Sequence, residues 1–201
     1  MKIILAAEEM FADGSFDEAS LREIAARAGQ GNNFAVQYHF GSRDGLVLAI
    51  FDHRMEQMEE ARGAMLERAE AVGLLRDART LLDIIYLPQL ALQDADGNRS
   101  YANFLGRYLL RSQSTKFGDF GENVPPNLAR ALSLLRERLI YLPDAAAQRR
   151  LIAASLMFLH ILVQQRTADN QSIGAEGFED ALEDTMEQIV TTICAPLKRR
   201  D

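Results

Sequence analysis

Amide, aromatic and basic side chains crowd residues 32–43, as Asn32, Asn33, Phe34, Gln37, Tyr38, His39 and Arg43. A side-chain amide offers a donor and an acceptor together, which is what an adenine edge presents to the DNA major groove. Gln37 and Asn33 have that chemistry, and Asn32 stands next to them. Phe34 and Tyr38 suit a thymine methyl or a sugar, and the Tyr38 hydroxyl also suits phosphate. Ser20, His39 and Arg43 suit phosphate oxygens, contacts that set register without reading sequence. This chemistry is recognition of a duplex, not bond breaking.

Such a row of groups needs a helix to present it. Ser20 followed by Glu23 is a capping box that starts a helix. Leu21, Ile24, Ala25 and Ala28 then recur on one apolar face. Gly29 and Gly31 supply a turn, since glycine tolerates the left-handed backbone that closes a helix. In the segment that follows, Val36 and Phe40 are expected to face inward, with Phe34, Gln37, Tyr38 and Asn33 outward. The spacing predicts a helix-turn-helix. The competing reading is an ordinary pair of core helices joined by a glycine turn.

The order of three segments resembles the TetR family of one-component transcriptional repressors. They are ILAAEEMFADGSF at residues 4–16, EIAARAG at 23–29 and YHFGSRDGL at 38–46. Together they cover about the first quarter of the chain. The resemblance implies an all-α architecture, with a three-helix DNA-binding head at residues 1–46. A helical ligand-binding and dimerisation bundle is expected over residues 47–201. It also implies a homodimer on a pseudo-palindromic operator and release by a small effector. Counting back from His39 and Phe40, the position where many members carry a phosphate-contacting tyrosine holds Gln37 here.

Composition bounds the rest. The 201 residues are 48% hydrophobic, enough for one domain or two small ones with a real core. A net charge of −7 looks wrong for a ligand of phosphate backbone, yet residues 20–43 carry three arginines against Glu23 alone. A mildly basic contact face on an acidic body suits specific binding and predicts weak non-specific binding. Cys194 is the single cysteine, so no intramolecular disulfide can form and a reducing, cytoplasmic home is expected. The apolar run 151–163 is shorter than a membrane span and includes His160, so no membrane partner is expected. Catalytic motifs and metal-ligand spacings are absent from the sequence, and neither enzyme activity nor a cofactor is expected.

Nearly every periodic segment has a helical period. Ser42 can cap a long helix running toward Ala69, whose second half, MEQMEEARGAMLERAE, is charged and expected to be solvated on one side. A helix through Leu81, Leu82, Ile85 and Tyr86 meets Pro88, which should end or kink it. Asp94, Asp96, Asn98 and Ser100 imitate half of a calcium loop, but Arg99 stands where its glycine belongs, so a polar turn is expected.

Tyr86, Tyr101, Phe104, Tyr108, Phe117 and Phe120 concentrate near Pro88 and a glycine-rich loop. They are either core packing or the wall of an apolar cavity for a small, uncharged or weakly acidic molecule. Lys116, Arg107 and Arg111 are the expected nearby cations. His160, within an apolar run, is either a satisfied core histidine or a ligand contact.

On residues 144–167, Ile152, Leu156, Leu159 and Val163 make one apolar line and Leu151, Phe158 and Leu162 a second. Phe178, Leu182, Met186, Ile189 and Ile193 add a seam on the last helix. A helix apolar on so much of its circumference is buried on two sides. Phe158, Leu162, Leu182, Met186 and Ile189 are therefore expected at a dimer interface. The rival to the regulator reading is a helical binding protein or enzyme for lipophilic molecules without DNA function.

Overall fold

The computed structural model describes residues 1–15, 18–30, 33–94, 97–111, 124–168 and 177–197, with the backbone alone at 33–35 and 165–168. These residues are all-helical, as expected. Three short helices come first, α1 (Lys2–Ala12), α2 (Leu21–Arg27) and α3 (Asn33–Phe40). The long α4 (Arg43–Ala71) follows, then α5 (Ala78–Tyr86), which runs into a 3₁₀ turn at Leu87–Ala91. The body is completed by α6 (Ser100–Arg111), α7 (Pro126–Arg138), α8 (Asp144–Ala168) and α9 (Phe178–Cys194).

Local signals account for most of these ends. The Ser20 capping box forms in full, with Glu23 N–H donating to Ser20 Oγ at 3.2 Å and Ser20 N–H to Glu23 Oε2 at 2.8 Å. Ser42 caps α4 by accepting from Gly45 N–H at 3.1 Å. Asp77 caps α5 by accepting from Thr80 N–H at 2.8 Å. Pro88 cannot continue the α5 hydrogen-bond ladder, and the chain tightens there into the 3₁₀ turn. Asp94 accepts from the backbone and side chain of Asn98, at 2.7 and 2.6 Å, closing the polar turn before α6.

One hydrophobic core runs from the head into the body. Phe11, Ile24, Val36 and Ile50 belong to it at one end, and Leu81, Phe104, Phe158 and Ile189 at the other. The 46/47 division falls inside α4, so head and body share one continuous rod. Arg79 of α5 ties down α9, donating to Glu183 and Glu187 at 2.6 Å each.

One expectation about the last helices is corrected. Phe158, Leu162, Met186 and Ile189 are fully buried within the protomer, so they are core residues and not a partner-facing surface. Phe158 stacks on Tyr86 with ring centroids 5.1 Å apart. Leu182 is half-buried against the same core. By length and hydropathy α8 could cross a membrane over Asp144–Gln164. Its Leu151, Ala154, Phe158, Leu159 and Leu162 are buried in the protomer core.

Candidate functional site

The capping box sets where α2 begins, and Gly29 ends it with φ +68°, a conformation that side chains rarely adopt. α3 then packs on α2 through Val36, which is wholly buried, while Phe40 is half-buried against the core. With Val36 inward, the helix turns Gln37, Tyr38 and His39 out, and all three are exposed. Tyr38 is 86% exposed, far more than packing would leave a tyrosine, and its ring meets His39 edge-on at 5.3 Å. The Gln37 amide donates to the Gly41 carbonyl at 2.5 Å, a bond that must be exchanged before it can read a base. Asn33 and Phe34 open α3, and Asn32 lies outside the described residues.

Two phosphate candidates already have structural work. Ser20 Oγ donates to Glu23 Oε2 at 2.7 Å, so its proton is committed to a carboxylate. Glu23 is held below its ordinary pKa, first by the backbone bond from Ser20 and then by this hydroxyl. Arg43 is half-buried and donates to the Ala19 carbonyl at 2.8 Å, tying the start of α4 to the approach to α2. Sequence reading could not foresee this bond, because it joins residues 24 apart. Exposed arginines on the same segment are Arg22 and Arg27, the latter 3.4 Å from Glu9.

The body contains a cavity of about 40 Å³. Its walls come from Met55, Met58 and Arg62 of α4, Ile85 and Tyr86 of α5, and Gln89 of the 3₁₀ turn. Tyr101, Leu105 and Leu109 of α6, Leu128 and Leu132 of α7, and Ser155 and Leu159 of α8 complete it. Tyr86 and Tyr101 are thus the expected aromatics that do line a cavity. The Tyr86 hydroxyl lies 3.0 Å from Ser155 Oγ, and Ser155 in turn donates to the Leu151 carbonyl at 2.9 Å. Burial pushes both tyrosine hydroxyls above their usual pKa; Ser155 opposes this at Tyr86, and Arg62 does so at Tyr101.

Other aromatics go elsewhere. Phe104 is buried between Phe11, Phe51, Tyr101 and Tyr108, an aromatic cluster that joins α1, α4 and α6. Tyr108 packs on Phe51 at 4.9 Å and does not line the cavity. Phe117 and Phe120, with Lys116, lie outside the described residues. His160 is exposed on α8, so it is neither a core histidine nor a cavity group. Leu159 and Leu162 of the same helix are buried.

Sequence reading missed Arg62, Gln89 and Ser155. Arg62 lies in the charged half of α4, expected to be solvated, yet it is 2% exposed. The signal was present: Met55, Met58, Leu66 and Ala69 form a buried stripe, and Arg62 interrupts it at helical spacing. Arg107 and Arg111, the expected cations, are exposed at the surface of α6.

The head matches the family model described as "Bacterial regulatory proteins, tetR family" over residues 3–50. No curated protein matches the chain. Chains of solved structures do match, and one belongs to a structure described as "Molecular basis for control of antibiotic production by a bacterial hormones". It is 21% identical, covers 95% of this chain and 95% of that chain, and has a TM-score of 0.47. A likeness at that level carries nothing about ligand or operator. The buried Val36, the exposed Gln37 and Tyr38, the Ser20 box and the family match coincide on one segment. Residues 3–50 thus form a helix-turn-helix segment that matches the N-terminal segment of the TetR family of bacterial regulatory proteins.

Proposed function

We propose that the chain is a homodimeric, cytoplasmic repressor, released from a pseudo-palindromic operator by a small, predominantly apolar ligand in the body cavity. The observation that carries this reading is the continuity of α4. Its first turns hold Leu46, Val47 and Ile50 in the core shared with the head, and further along the same helix Met55, Met58 and Arg62 wall the cavity. A rod so placed converts a change in cavity shape into a change in head position. The cavity, at about 40 Å³, is much smaller than the roughly 300–1,000 Å³ of ordinary ligand pockets. Ligand must therefore favour a conformation with the walls moved apart, and it shifts the equilibrium only by its preference for that state. Two recognition helices then lose the spacing of half-sites one helical turn, or a multiple of it, apart.

The partner-facing surface in this reading is the outer stripe of α8, where Ala153 and His160 are exposed and Leu156 and Ile161 are half-exposed. The line Leu151, Phe158 and Leu162 faces the protomer's own core, which leaves the stripe around Leu156 for a second copy. The deciding measurement is selection of duplexes from a random pool, followed by anisotropy titration against salt. A regulator yields an inverted-repeat site and an affinity that falls steeply with salt. A helical carrier without DNA function yields neither.

A further inference from the structure

We propose that the effector carries an anionic, carboxylate-type head group, held by the buried guanidinium of Arg62, with its apolar remainder along the α6 and α7 walls. This rests on the ligand-regulated reading above and names the ligand class for that site. Arg62 offers five N–H donors, and a buried guanidinium demands partners. Those it has are poor. Nη1 reaches the Met55 carbonyl at 3.4 Å and Nη2 reaches Met58 Sδ at 3.5 Å. The carboxylate of Glu59 comes no closer than 4.0 Å. Nε has no hydrogen-bond partner among the described residues.

Glu59 is a distant counter-ion, with its Oε2 at 4.0 Å from Nη1 and without a hydrogen-bond partner among the described residues. Its Oε1 accepts from Asn127 N–H at 2.5 Å, which draws the carboxylate toward the start of α7. Burial lowers the Arg62 pKa while Tyr101 and Glu59 oppose that shift. An arginine remains charged in a protein under any ordinary condition. The positive charge thus sits in a cavity wall with donor capacity unspent. A carboxylate matches a guanidinium in plane and spacing and takes two parallel bonds from it.

Gln89 supplies a second unspent group in the same wall, an Oε1 that has no partner among the described residues. A hydroxyl on the ligand would satisfy it. Leu105, Leu109, Leu128 and Leu132 provide the apolar surface for the rest of the molecule. Burial of that surface supplies affinity, and the Arg62 fork supplies orientation and choice of head group.

The test is titration calorimetry on the full chain with butanoate, octanoate and dodecanoate, each against the alcohol of equal length. DNA is left out, so a chain that binds no operator still passes or fails here. Expected is saturable binding of octanoate or dodecanoate, about tenfold or more tighter than the matching alcohol. Arg62→Met should erase that preference, bringing the affinities of carboxylate and alcohol of equal length together. Arg62→Gln, which keeps hydrogen bonding and loses the charge, gives the same reading should the methionine variant fold poorly. Alcohols binding as tightly as carboxylates, a preference that survives both substitutions, or no saturable carboxylate binding would each overturn the proposal.

Discussion

Glu8 of α1 and Arg54 of α4 meet as a two-bonded fork, with Arg54 Nε 2.7 Å from Glu8 Oε2 and Nη2 2.8 Å from Oε1. The hydroxyl of Ser100, the first residue of α6, donates to the same Oε1. Glu8 is wholly buried, and its charge is tolerated because both oxygens are satisfied. Three helices converge on one carboxylate. From that point α6 continues directly into the cavity wall through Tyr101, Leu105 and Leu109. The helix-turn-helix head and the cavity are therefore joined twice, through α4 and through α6.

Breaking the fork should destabilise the fold strongly. Glu8→Ala leaves Arg54 uncompensated beside an apolar core and should cost about 3–5 kcal/mol. Arg54→Ala should cost a similar amount, and the double variant less than the two together, since the sites share one interaction. Urea denaturation of the four proteins in the cycle gives the coupling directly. Additive losses would mean that the pair does not act as a unit.

Acidification should weaken the same junction. His53 lies beside Arg54, and its pKa is lowered by burial first and then by the charge of Arg54, with Glu8 opposing. A histidine whose folded pKa is depressed binds fewer protons folded than unfolded. Its contribution is complete above the ordinary value of about 6.5 and is lost as pH falls below it. Wild-type urea midpoints should fall between neutral pH and pH ~5.5, and His53→Gln should flatten that fall. An unchanged pH slope in the variant would assign the dependence to other groups.

On DNA, Gln37→Ala should lose discrimination at one or two base pairs, by about 1–3 kcal/mol each. Arg43→Ala should weaken binding to every sequence and reduce the salt slope by about one unit. Because Arg43 also holds the Ala19 carbonyl, its loss should lower the melting temperature, whereas Gln37→Ala should not. An unaltered site preference after Gln37→Ala, in a repeat of the duplex selection, would show that another α3 residue reads the bases.

The two apolar lines of α8 should respond differently to substitution. Phe158→Ala opens a cavity against Tyr86 and should cost about 3–5 kcal/mol of protomer stability. Leu156→Glu places a charge on the outer stripe and should yield folded monomer with weakened operator binding. Light scattering and circular dichroism on both variants separate the outcomes. A Leu156→Glu protein that stays dimeric would move the interface off that stripe.

Much of the helical framework was legible in the chain itself, because the signals that start and stop helices act within about four residues. Ser20 with Glu23, Ser42 before Gly45 and Pro88 after Tyr86 each mark an end that the structure places where the pattern predicts. The inward Val36 and outward Gln37 and Tyr38 followed from the same short-range periodicity. Which neighbour covers an apolar face is a different matter. The Leu156 and Phe158 lines of α8 read alike in sequence, and only the packing of α6 and α9 made Phe158 core and left Leu156 half-exposed. Arg62 looked solvated because charge surrounds it along the chain, and it is buried because α6 and α7 close over α4 there. Glu8 and Arg54 lie 46 residues apart, so their fork exists only once α1 and α4 have packed. Periodicity records which side of a helix is apolar; which partner meets that side is settled by contacts between residues far apart in the chain.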